Sequence, residues 1–363
     1  MKSELYIGIM SGTSLDGADA VLADFDGEKL RVVTHAHAAF PAALRDELLE
    51  LNASGPDEIH RSQLASQTLA RGYASLVEHL LAKSSVPAKS VRAIGCHGQT
   101  VRHMPSESYT VQLNAPAVLV ELTGICVIAD FRVRDVAAGG QGAPLVPAFH
   151  AHAFHSSKRR RAILNLGGMA NVTLLDPDSG IQGFDCGPAN VLMDSWADRH
   201  LGRAYDVHGE WAASGRVCQP LLERMLLHPF FAQRPPKSCG REQFNAQWLS
   251  ELLTPEIPAE DVQATLAELT AVSVSNALNS VHFRPEEVIV CGGGAFNSHL
   301  VRRLTLCIGC PVVGSQHLGI PPDQVEALAF AWLARRALAS QTGNVPAITG
   351  ARGPRVLGSI WPV

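Results

Sequence analysis

The sequence predicts an α/β fold made of two duplicated lobes, with mixed sheets flanked by helices and a central cleft. Three observations carry this prediction. At 363 residues the chain is longer than one hydrophobic core usually organises, so two lobes are expected. A pattern of three strands joined by tight turns occurs twice. Helical and strand segments follow each copy, and such units build mixed or parallel sheets whose ligands lie beyond the strand ends.

The first copy of the pattern begins near the N-terminus. The segments "LYIGI", "ADAVLADF" and "LRVVTHAHAAF" predict three strands, and the turns "MSGTSLDG" and "DGEK" join them. A helix follows, with Leu69, Tyr73, Leu76 and Leu80 at helical spacing. The segment "VRAIGCHGQT" then predicts a strand that ends in a polar turn.

The second copy begins at residue 161. Here "RAILNL" (161–166), "NVTLL" and "IQGFD" (181–185) predict the three strands, separated by "GGMA" and "DPDSG". A helix-rich region from about 188 to 282 leads to "EEVIVCGGGAFNSHLVRRL", which predicts a strand, a triple-glycine turn and a helix. We expect an N-terminal lobe of residues 1–130 completed by the tail at about 339–363, and a C-terminal lobe of residues 131–338.

Composition is that of a soluble globular protein. Hydrophobic residues make up 46% of the chain, charged residues 18%, and the formal net charge is −4. This balance argues against a nucleic-acid or anionic-membrane partner. The apolar run at the N-terminus is too short for a signal peptide, and eight scattered cysteines suit reduced thiols. A cytoplasmic location is therefore expected.

Three glycine-rich turns are candidates for binding phosphate or nucleotide. In "SGTSLDG" small residues allow several backbone N–H groups to converge, and Thr13 and Ser14 add hydroxyl donors. Asp16 is a candidate to hold Mg²⁺ through water or to position a neighbouring group. An ordinary hairpin turn has the same composition, but "NLGGMAN" (165–171) and "CGGGAFN" (291–297) repeat the feature at other strand ends. The candidate nucleotide-binding residues are Gly12, Thr13, Ser14, Leu15, Asp16, Gly17, Ala18, Asp19, Gly167, Gly168, Gly292, Gly293, Gly294 and Asn297.

Asp185 is the candidate catalytic carboxylate. It ends the third strand of the second copy and is followed by Gly187 and Pro188, so its side chain is expected at the strand tip, facing the cleft. The alternative is structural, because an aspartate here would also suit the N-cap of a helix beginning around Asn190.

A second polar group is suited to a polyhydroxylated ligand. His97, Gln99 and Thr100 follow a strand in "IGCHGQTVRH", although an ordinary polar loop would have the same composition. Glu326 lies on or near an apolar helix face in "PPDQVEALAFAWLA". A buried carboxylate needs a partner, so either a salt bridge or a ligand hydroxyl is expected there.

The duplicated turns resemble those of the actin, hexokinase and Hsp70 superfamily, whose actin-like ATPase (ribonuclease H-like) lobes hold a nucleotide between two phosphate hairpins and a glycine-rich adenosine loop. More specifically, "GIMSGTSLDGAD", "IGCHGQTVRH", "NLGGMANVT", "GFDCGPANVLMD", "PPKSCGREQFN" and "GIPPDQVEALAFAWLA" resemble the anhydro-N-acetylmuramic acid kinase family. Such motifs run in the family's order from residue 8 to residue 334. Asn114 and Ala115 depart from the family pattern, as do the cysteines at 96, 186 and 239, where Ser or Thr is common.

The resemblance implies an ATP- and Mg²⁺-dependent kinase of peptidoglycan recycling, acting on 1,6-anhydro-N-acetylmuramic acid as a cytoplasmic homodimer. It implies Asp185 as the base, the 12–19 and 167–168 turns on phosphate, and residues 292–294 with Asn297 on adenosine. The implied sugar-binding residues are His97, Gln99, Thr100, Arg134 and Glu326. Arg132, Arg134 and Asp135 are implied either to bind the lactyl carboxylate or to position Asp185.

Two other functions stay open on the residues alone. One is an ordinary hexose or amino-sugar kinase that uses Asp185 to deprotonate a hydroxyl. The other is a non-catalytic nucleotide switch of the same superfamily, which fold by itself does not exclude.

Overall fold

A computed structural model describes residues 3–12, 15–27 and 29–363. Thr13 and Ser14, two of the candidate phosphate-binding residues, lie outside the described residues.

The strands are β1 (Glu4–Met10), β2 (Gly17–Asp26), β3 (Lys29–Ala39), β4 (Val91–Cys96), β5 (Gln99–Met104), β6 (Tyr109–Leu113), β7 (Val127–Ala129), β8 (Arg161–Leu166), β9 (Met169–Asp176), β10 (Gly180–Pro188), β11 (Glu287–Cys291), β12 (Val312–Gly314) and β13 (Ser359–Trp361). The α-helices are α1 (Ala42–Glu50), α2 (Glu58–Ser84), α3 (Pro116–Thr123), α4 (Val133–Ala137), α5 (Val146–Phe154), α6 (Asn190–Leu201), α7 (Glu210–Ser214), α8 (Gln219–Leu226), α9 (Pro229–Ala232), α10 (Ala246–Leu252), α11 (Ala259–Ser280), α12 (Ser298–Ile308), α13 (Val325–Leu338) and α14 (Pro346–Thr349).

The chain divides into two compact units. The first unit comprises Met1–Ala153 and Gln324–Val363, and the second comprises Phe154–Asp323. These limits differ from the boundaries expected from the sequence, because residues 131–153 and helix α13 belong to the first unit. Long-range contacts explain the difference: α13 packs on β1 and β4, and residues 135–142 bond to the segment at 344–349.

The sheet of the first unit has the strand order β3-β2-β1-β4-β7, with β13 added beyond β7. Strand β2 is antiparallel to both of its neighbours, β1 and β3, as tight hairpins require. Strands β4 and β7 run parallel to β1, which the helical connections between them allow.

The sheet of the second unit repeats this order as β10-β9-β8-β11-β12. Its first three strands are antiparallel neighbours, and β11 and β12 run parallel to β8. In both units the first strand therefore lies between the second and the fourth. This confirms the duplicated α/β fold with mixed sheets that the two sequence patterns predict.

Two glycines allow helix α13 to lie directly on the first sheet. A side chain at Gly8 in β1 would collide with the carbonyl oxygen of Ala327, and one at Gly95 in β4 with that of Phe330. The backbone of α13 therefore approaches the sheet more closely than any residue with a Cβ allows. Glu326 lies in the first turn of α13 and is half-buried, so this contact places it beside the sheet.

The polar segment after β4 is shorter than the sequence predicts. Gln99 and Thr100 open strand β5, which pairs with β6 in a separate two-stranded sheet. The sequence "QTVRH" does not show the alternation of apolar and polar residues that predicts a strand, since only Val101 among these residues is apolar. Among the described residues, no helix is long and apolar enough to span a membrane.

The glycine contacts predict two substitutions of opposite effect. Gly95→Ala should lower the free energy of unfolding by about 1–3 kcal/mol, because its methyl group overlaps the backbone of α13. Gly72→Ala, on the exposed face of α2 with open space around it, should raise the free energy of unfolding by about 0.5–1 kcal/mol. Urea unfolding followed by circular dichroism measures both. A Gly95→Ala protein as stable as the parent would contradict the close contact.

Candidate functional site

The first glycine-rich turn joins β1 to β2 and is held from beneath. The carbonyl oxygen of Gly12 accepts hydrogen bonds from Leu15 N at 3.3 Å and from Gln99 Nε2 at 3.1 Å. Ser11 Oγ donates to Gly98 O at 3.0 Å and lies 3.0 Å from the hydroxyl of the buried Tyr73. These bonds fix the described part of the turn to the loop that follows β4.

The other predicted residues of this turn divide between the turn and the strand. Leu15 is buried with a left-handed φ of 59°, and Asp16 is exposed beside it. Gly17, Ala18 and Asp19 belong to β2, where Gly17 packs against the backbone of β3 and Asp19 Oδ1 lies 2.9 Å from His37 Nδ1. Of these residues, Asp16 is therefore the carboxylate nearest the turn itself.

The second glycine-rich turn, Gly167–Gly168, lies over the start of α6. Gly167 O accepts from Asn190 N at 3.0 Å, and Gly168 O accepts from Ala189 N and Val191 N at 3.0 and 3.2 Å. Among the residues that the structure describes, none other than the chain neighbours comes nearer than 3.8 Å to a Cβ built on either glycine. Internal packing therefore does not demand these glycines, and the missing side chains leave the turn's outer face open to a ligand.

The three glycines after β11 differ in what surrounds them. Gly292 has a φ of 79° and packs against Asn165, while a Cβ on Gly294 would lie 2.6 Å from Leu166 Cβ. Gly293 is exposed, and its nearest neighbour would be 3.8 Å away. Asn297, a predicted nucleotide ligand, also caps α12, because its Oδ1 accepts from Leu300 N at 2.9 Å.

Asn190 is a residue of this region that sequence reasoning missed. Its Nδ2 donates to Leu166 O at 2.9 Å, and the same side chain lies beside Gly293 and Gly294. It therefore ties the 167–168 turn to the triple-glycine loop. The signal was present in "GFDCGPANVLMD", where an asparagine occupies the first helical position rather than the cap.

Asp185 lies on β10 at a break in the strand register. The pairing with β9 shifts between Asp185 and Gly187, a bulge that redirects the side chains beside it. Asp185 Oδ2 accepts from Cys239 N at 2.9 Å, and its own backbone N donates to Lys237 O at 3.2 Å. The structure excludes the capping alternative, since the N-cap of α6 is Ala189 and no side chain caps it.

The surroundings of Asp185 give its carboxylate a high proton affinity. Burial raises the pKa of Asp185 to about 6, opposed by the Cys239 N–H bond and by the charge of Lys237. Lys237 itself lies with Nζ 4.4 Å from the centre of the Phe230 ring, and burial lowers the pKa of its ammonium group. A carboxylate with a pKa near 6 is ionised at neutral pH yet basic enough to take a proton, which is what a general base needs.

His97 is buried in the first unit and is held by an arginine. Its Nε2 accepts from Arg132 Nε at 3.0 Å, and Arg132 Nη1 donates to Gly142 O at 2.7 Å. Burial, with the nearby charge of Arg132 second, lowers the pKa of His97 to about 3, so the imidazole is neutral. Because Nε2 is the acceptor, the ring hydrogen is assigned to Nδ1, which makes no hydrogen bond of normal geometry within the described residues.

Arg132 also faces two carboxylates. Burial lowers the pKa of Arg132 to about 10, and the charges of Glu326 and Asp135 oppose that shift. His97, Arg132 and Glu326 thus form one polar cluster in the first unit. Arg134, which the resemblance placed on the sugar, lies exposed on α4, and Arg132 rather than Arg134 donates to His97.

Two other predicted sugar-binding side chains have internal partners. Gln99 uses its amide group on Gly12 O, and Thr100 Oγ1 accepts from Gln112 Nε2 at 3.2 Å. Both bonds stiffen the segment beside His97. Gln99 Oε1 is buried without a hydrogen-bond partner in the described part of the chain.

Two of the departures from the family pattern contact each other. Asn114 Nδ2 donates to Cys96 O at 3.3 Å, and Cys96 Sγ lies 3.7 Å from Asn114 Oδ1. The thiol and the amide therefore act as a pair at the end of β4, directly before His97. Within residues 3–12, 15–27 and 29–363, no cluster of three or more His, Cys, Asp or Glu side chains is arranged to hold a metal ion.

Comparison with known proteins gives one consistent result. Residues 4–363 match the model of the family described as anhydro-N-acetylmuramic acid kinase. A protein of that name from Variovorax paradoxus is 53% identical over 374 residues, covering 100% of both chains. Its namesake from Bordetella petrii is 54% identical over 364 residues, covering 99% of this chain and 96% of the relative.

Solved structures show a weaker likeness. A gluconate kinase from Lactobacillus acidophilus aligns over 100% of this chain and 94% of its own, at 11% identity and a TM-score of 0.49. That likeness is too slight to bear on function.

The buried carboxylate predicts a stability that depends on pH. The pKa of Asp185 is raised from 3.8 to about 6 by folding, so ionisation costs the folded state up to about 3 kcal/mol once the pH exceeds 6. Asp185→Asn removes this cost and should raise the free energy of unfolding, with a gain at pH 8 about 1 kcal/mol larger than at pH 5. Denaturant unfolding at both pH values measures it, with exposed Asp178→Asn as control. A gain that does not grow with pH would contradict the raised pKa.

Proposed function

Since the chain belongs to the anhydro-N-acetylmuramic acid kinase family, we propose that it is an ATP-dependent kinase that acts on 1,6-anhydro-N-acetylmuramic acid. The products are N-acetylmuramic acid 6-phosphate and ADP, and the role is recycling of the cell-wall peptidoglycan. The observation that carries the proposal is Asp185, a carboxylate with a pKa near 6 at a strand bulge.

The substrate sets a chemical constraint on the reaction. Its O6 is bound to C1 in an internal ether, so there is no 6-hydroxyl group to phosphorylate. Water attacks C1, the C1–O6 bond breaks, and O6 forms a bond to the γ-phosphorus of ATP while ADP leaves. The leaving oxygen goes to phosphorus, so no acid is required to protonate it.

Asp185 takes the proton from the attacking water. This role resembles that of the base in an inverting glycosidase, which activates water on the face of C1 opposite the leaving oxygen. The Cys239 N–H bond holds one carboxylate oxygen, and Lys237 keeps the pKa of Asp185 from rising further. Activity is therefore expected to fall as the pH drops below about 6.

The glycine turns bind the nucleotide in this proposal. Gly167–Gly168 and Gly293 present backbone that no side chain of the described residues covers, which suits phosphate and nucleoside contact. The 12–19 turn, including Thr13 and Ser14, is assigned to phosphate with them. The adenosine loop is shaped by Gly292 and Gly294, which pack closely against other residues, and by Asn297, which caps α12.

The polar cluster of the first unit binds the sugar. The buried Nδ1–H of His97 lies near the backbone of Ser11 and Gly98 but makes no hydrogen bond of normal geometry within the described residues, and Glu326 is suited to a sugar hydroxyl. Arg132 uses Nε and Nη1 within the protein, and its Nη2 is assigned to the lactyl carboxylate. Gln99 and Thr100 support His97 from the neighbouring strand.

Mg²⁺ fits this proposal as an ion that arrives with ATP. The described residues offer no three-ligand cluster, and Mg²⁺ typically uses one or two carboxylates together with phosphates and water. Asp16 is the carboxylate assigned to it. Asp16 would hold the ion through its carboxylate, and the chemistry supplied there would be charge neutralisation on the transferring phosphoryl group. The proposal is completed by a homodimer, as the family resemblance implies, and by a cytoplasmic location without nucleic-acid or membrane partners, as the composition and charge predict.

The direct test is product formation. With Mg-ATP and the anhydro sugar, mass spectrometry should detect one N-acetylmuramic acid 6-phosphate for each ADP. Asp185→Asn should lower kcat by a factor of about 10³ or more while ATP affinity stays within about twofold, because the variant loses only the base. Exposed Asp178→Asn serves as control. An active Asp185→Asn enzyme would mean that another group is the base.

The open glycines give a second test. Gly168→Ala and Gly293→Ala should raise the Kd for ATP about tenfold or more, since each methyl group occupies ligand space, with little change in thermal stability. Gly294→Ala should instead destabilise the protein by contact with Leu166. Calorimetric titration and thermal unfolding measure the two effects, and Gly72→Ala is the control for ATP binding. Normal ATP affinity in both loop variants would contradict the nucleotide assignment.

A further inference from the structure

Asp135 is a buried carboxylate that the proposed reaction does not use. It is on α4, fully buried, and its two oxygens accept three hydrogen bonds. Oδ2 accepts from Gly142 N at 2.8 Å. Oδ1 accepts from Asn344 Nδ2 at 2.6 Å and Thr349 Oγ1 at 2.8 Å. The last two donors come from the C-terminal segment, more than two hundred residues away.

The loop 139–142 is folded tightly over this carboxylate. Gly140 N donates to Asp135 O at 2.9 Å, and a Cβ on Gly140 would collide with the Asp135 carboxylate. Gly142 has a φ of 66°, which glycine tolerates at little cost. Gln141 N donates to Thr349 O at 2.6 Å. Asp135 and the C-terminal segment together set the path of the loop.

The 139–142 loop positions Arg132, which donates a hydrogen bond to His97. Gly142 bonds to Asp135 through its N–H and to Arg132 Nη1 through its carbonyl oxygen. Arg132 Nε then donates to His97 Nε2. A continuous series of hydrogen bonds therefore runs from Asn344 and Thr349 to the imidazole ring.

We propose that Asp135 is a positioning residue for sugar binding, and that the 344–349 segment belongs to the sugar site through it. The proposal rests on the assignment of His97 and Arg132 to the sugar. It holds that Asp135 and its two C-terminal donors keep Gly142 O where Arg132 can bond to it. Arg132 then donates to His97 Nε2, which leaves the ring hydrogen on Nδ1 as the donor assigned to the sugar. None of the residues in this series is assigned to ATP, so the affinity for ATP should not depend on it.

The chemistry requires a carboxylate rather than an amide at position 135. Three donors surround the two oxygens, so an asparagine must turn its NH₂ group towards at least one of them. Asp135→Asn is therefore close in size yet breaks the series. Thr349→Val removes one of the three donors to Asp135, together with a long 3.5 Å bond from Ala351 N, with little change in shape, and is the milder variant should Asp135→Asn fold poorly.

The test compares both variants with the full-length parent in two measurements. In protein labelled with ¹⁵N-histidine, the His97 signals, identified by their loss in His97→Gln, should change from one Nδ1–H tautomer to a mixture. The Kd for 1,6-anhydro-N-acetylmuramic acid should rise about tenfold in Asp135→Asn and about threefold in Thr349→Val, with the Kd for ATP within twofold. Thr342→Val, exposed in the same tail, is the matched control and should change neither.

Each other outcome has a definite meaning. Unchanged His97 signals and unchanged sugar affinity, with only lower thermal stability, would overturn the proposal and leave Asp135 a residue of the core. Weaker sugar binding with unchanged His97 signals would overturn the series through Arg132. If the parent protein fails to bind the sugar, the proposed function fails instead, while the tautomer measurement still tests the series.

Discussion

Both units depend on one arrangement of strands, in which the first strand lies between an antiparallel second strand and a parallel fourth strand. Because the first and fourth strands are parallel, the turn leaving the first and the loop leaving the fourth meet at the same sheet edge. In the first unit this brings Ser11 and Gly12 against Gly98 and Gln99. In the second unit it brings Leu166 against Gly294, with Asn190 bonded between them.

The same arrangement supports different chemistry in the two units because the side chains at that edge differ. After the fourth strand the first unit has His97, whose ring is held neutral by burial and by Arg132, whereas the second has three glycines. The third strand of the second unit has Asp185 near this edge, while that of the first ends in Ala38 and Ala39. In our proposal the edge of the first unit has the sugar-binding cluster and the 12–19 phosphate turn, and the edge of the second unit has the two other glycine-rich loops and the base.

Much of the fold follows from local pattern, and much of the site does not. Turn residues and alternating apolar residues locate both sets of three strands, and they place Asp185 near the end of β10. They do not reveal β5, because its alternate residues are polar, nor that Asn297 caps a helix. Charge alone does not distinguish Arg132 from Arg134. The choice depends on the fold, in which Arg132, directly before helix α4, bonds to His97 and Gly142, whereas Arg134, within the helix, is exposed.

The limits of the units show the same dependence on long-range contact. The sequence of helix α13 does not by itself predict that the helix belongs to the first unit. That assignment requires Gly8 and Gly95, more than two hundred residues earlier, to lack side chains so that the helix backbone can approach. Asp135 is a similar case, since its role depends on Asn344 and Thr349. Both are ordinary packing or hydrogen-bond contacts. Their partner residues are distant in the sequence, however, and become neighbours only when the chain folds.

The central claim is that water opens the C1–O6 bond while O6 accepts the phosphoryl group, with Asp185 as the base. Turnover of the anhydro sugar with Mg-ATP in ¹⁸O-labelled water tests this most directly, with unlabelled product incubated alongside to correct for exchange at C1. The account predicts a phosphosugar with one ¹⁸O at C1 and none in the phosphate ester. A phosphosugar formed without ¹⁸O would contradict it, and loss of ATP without any phosphosugar would indicate a nucleotide switch instead.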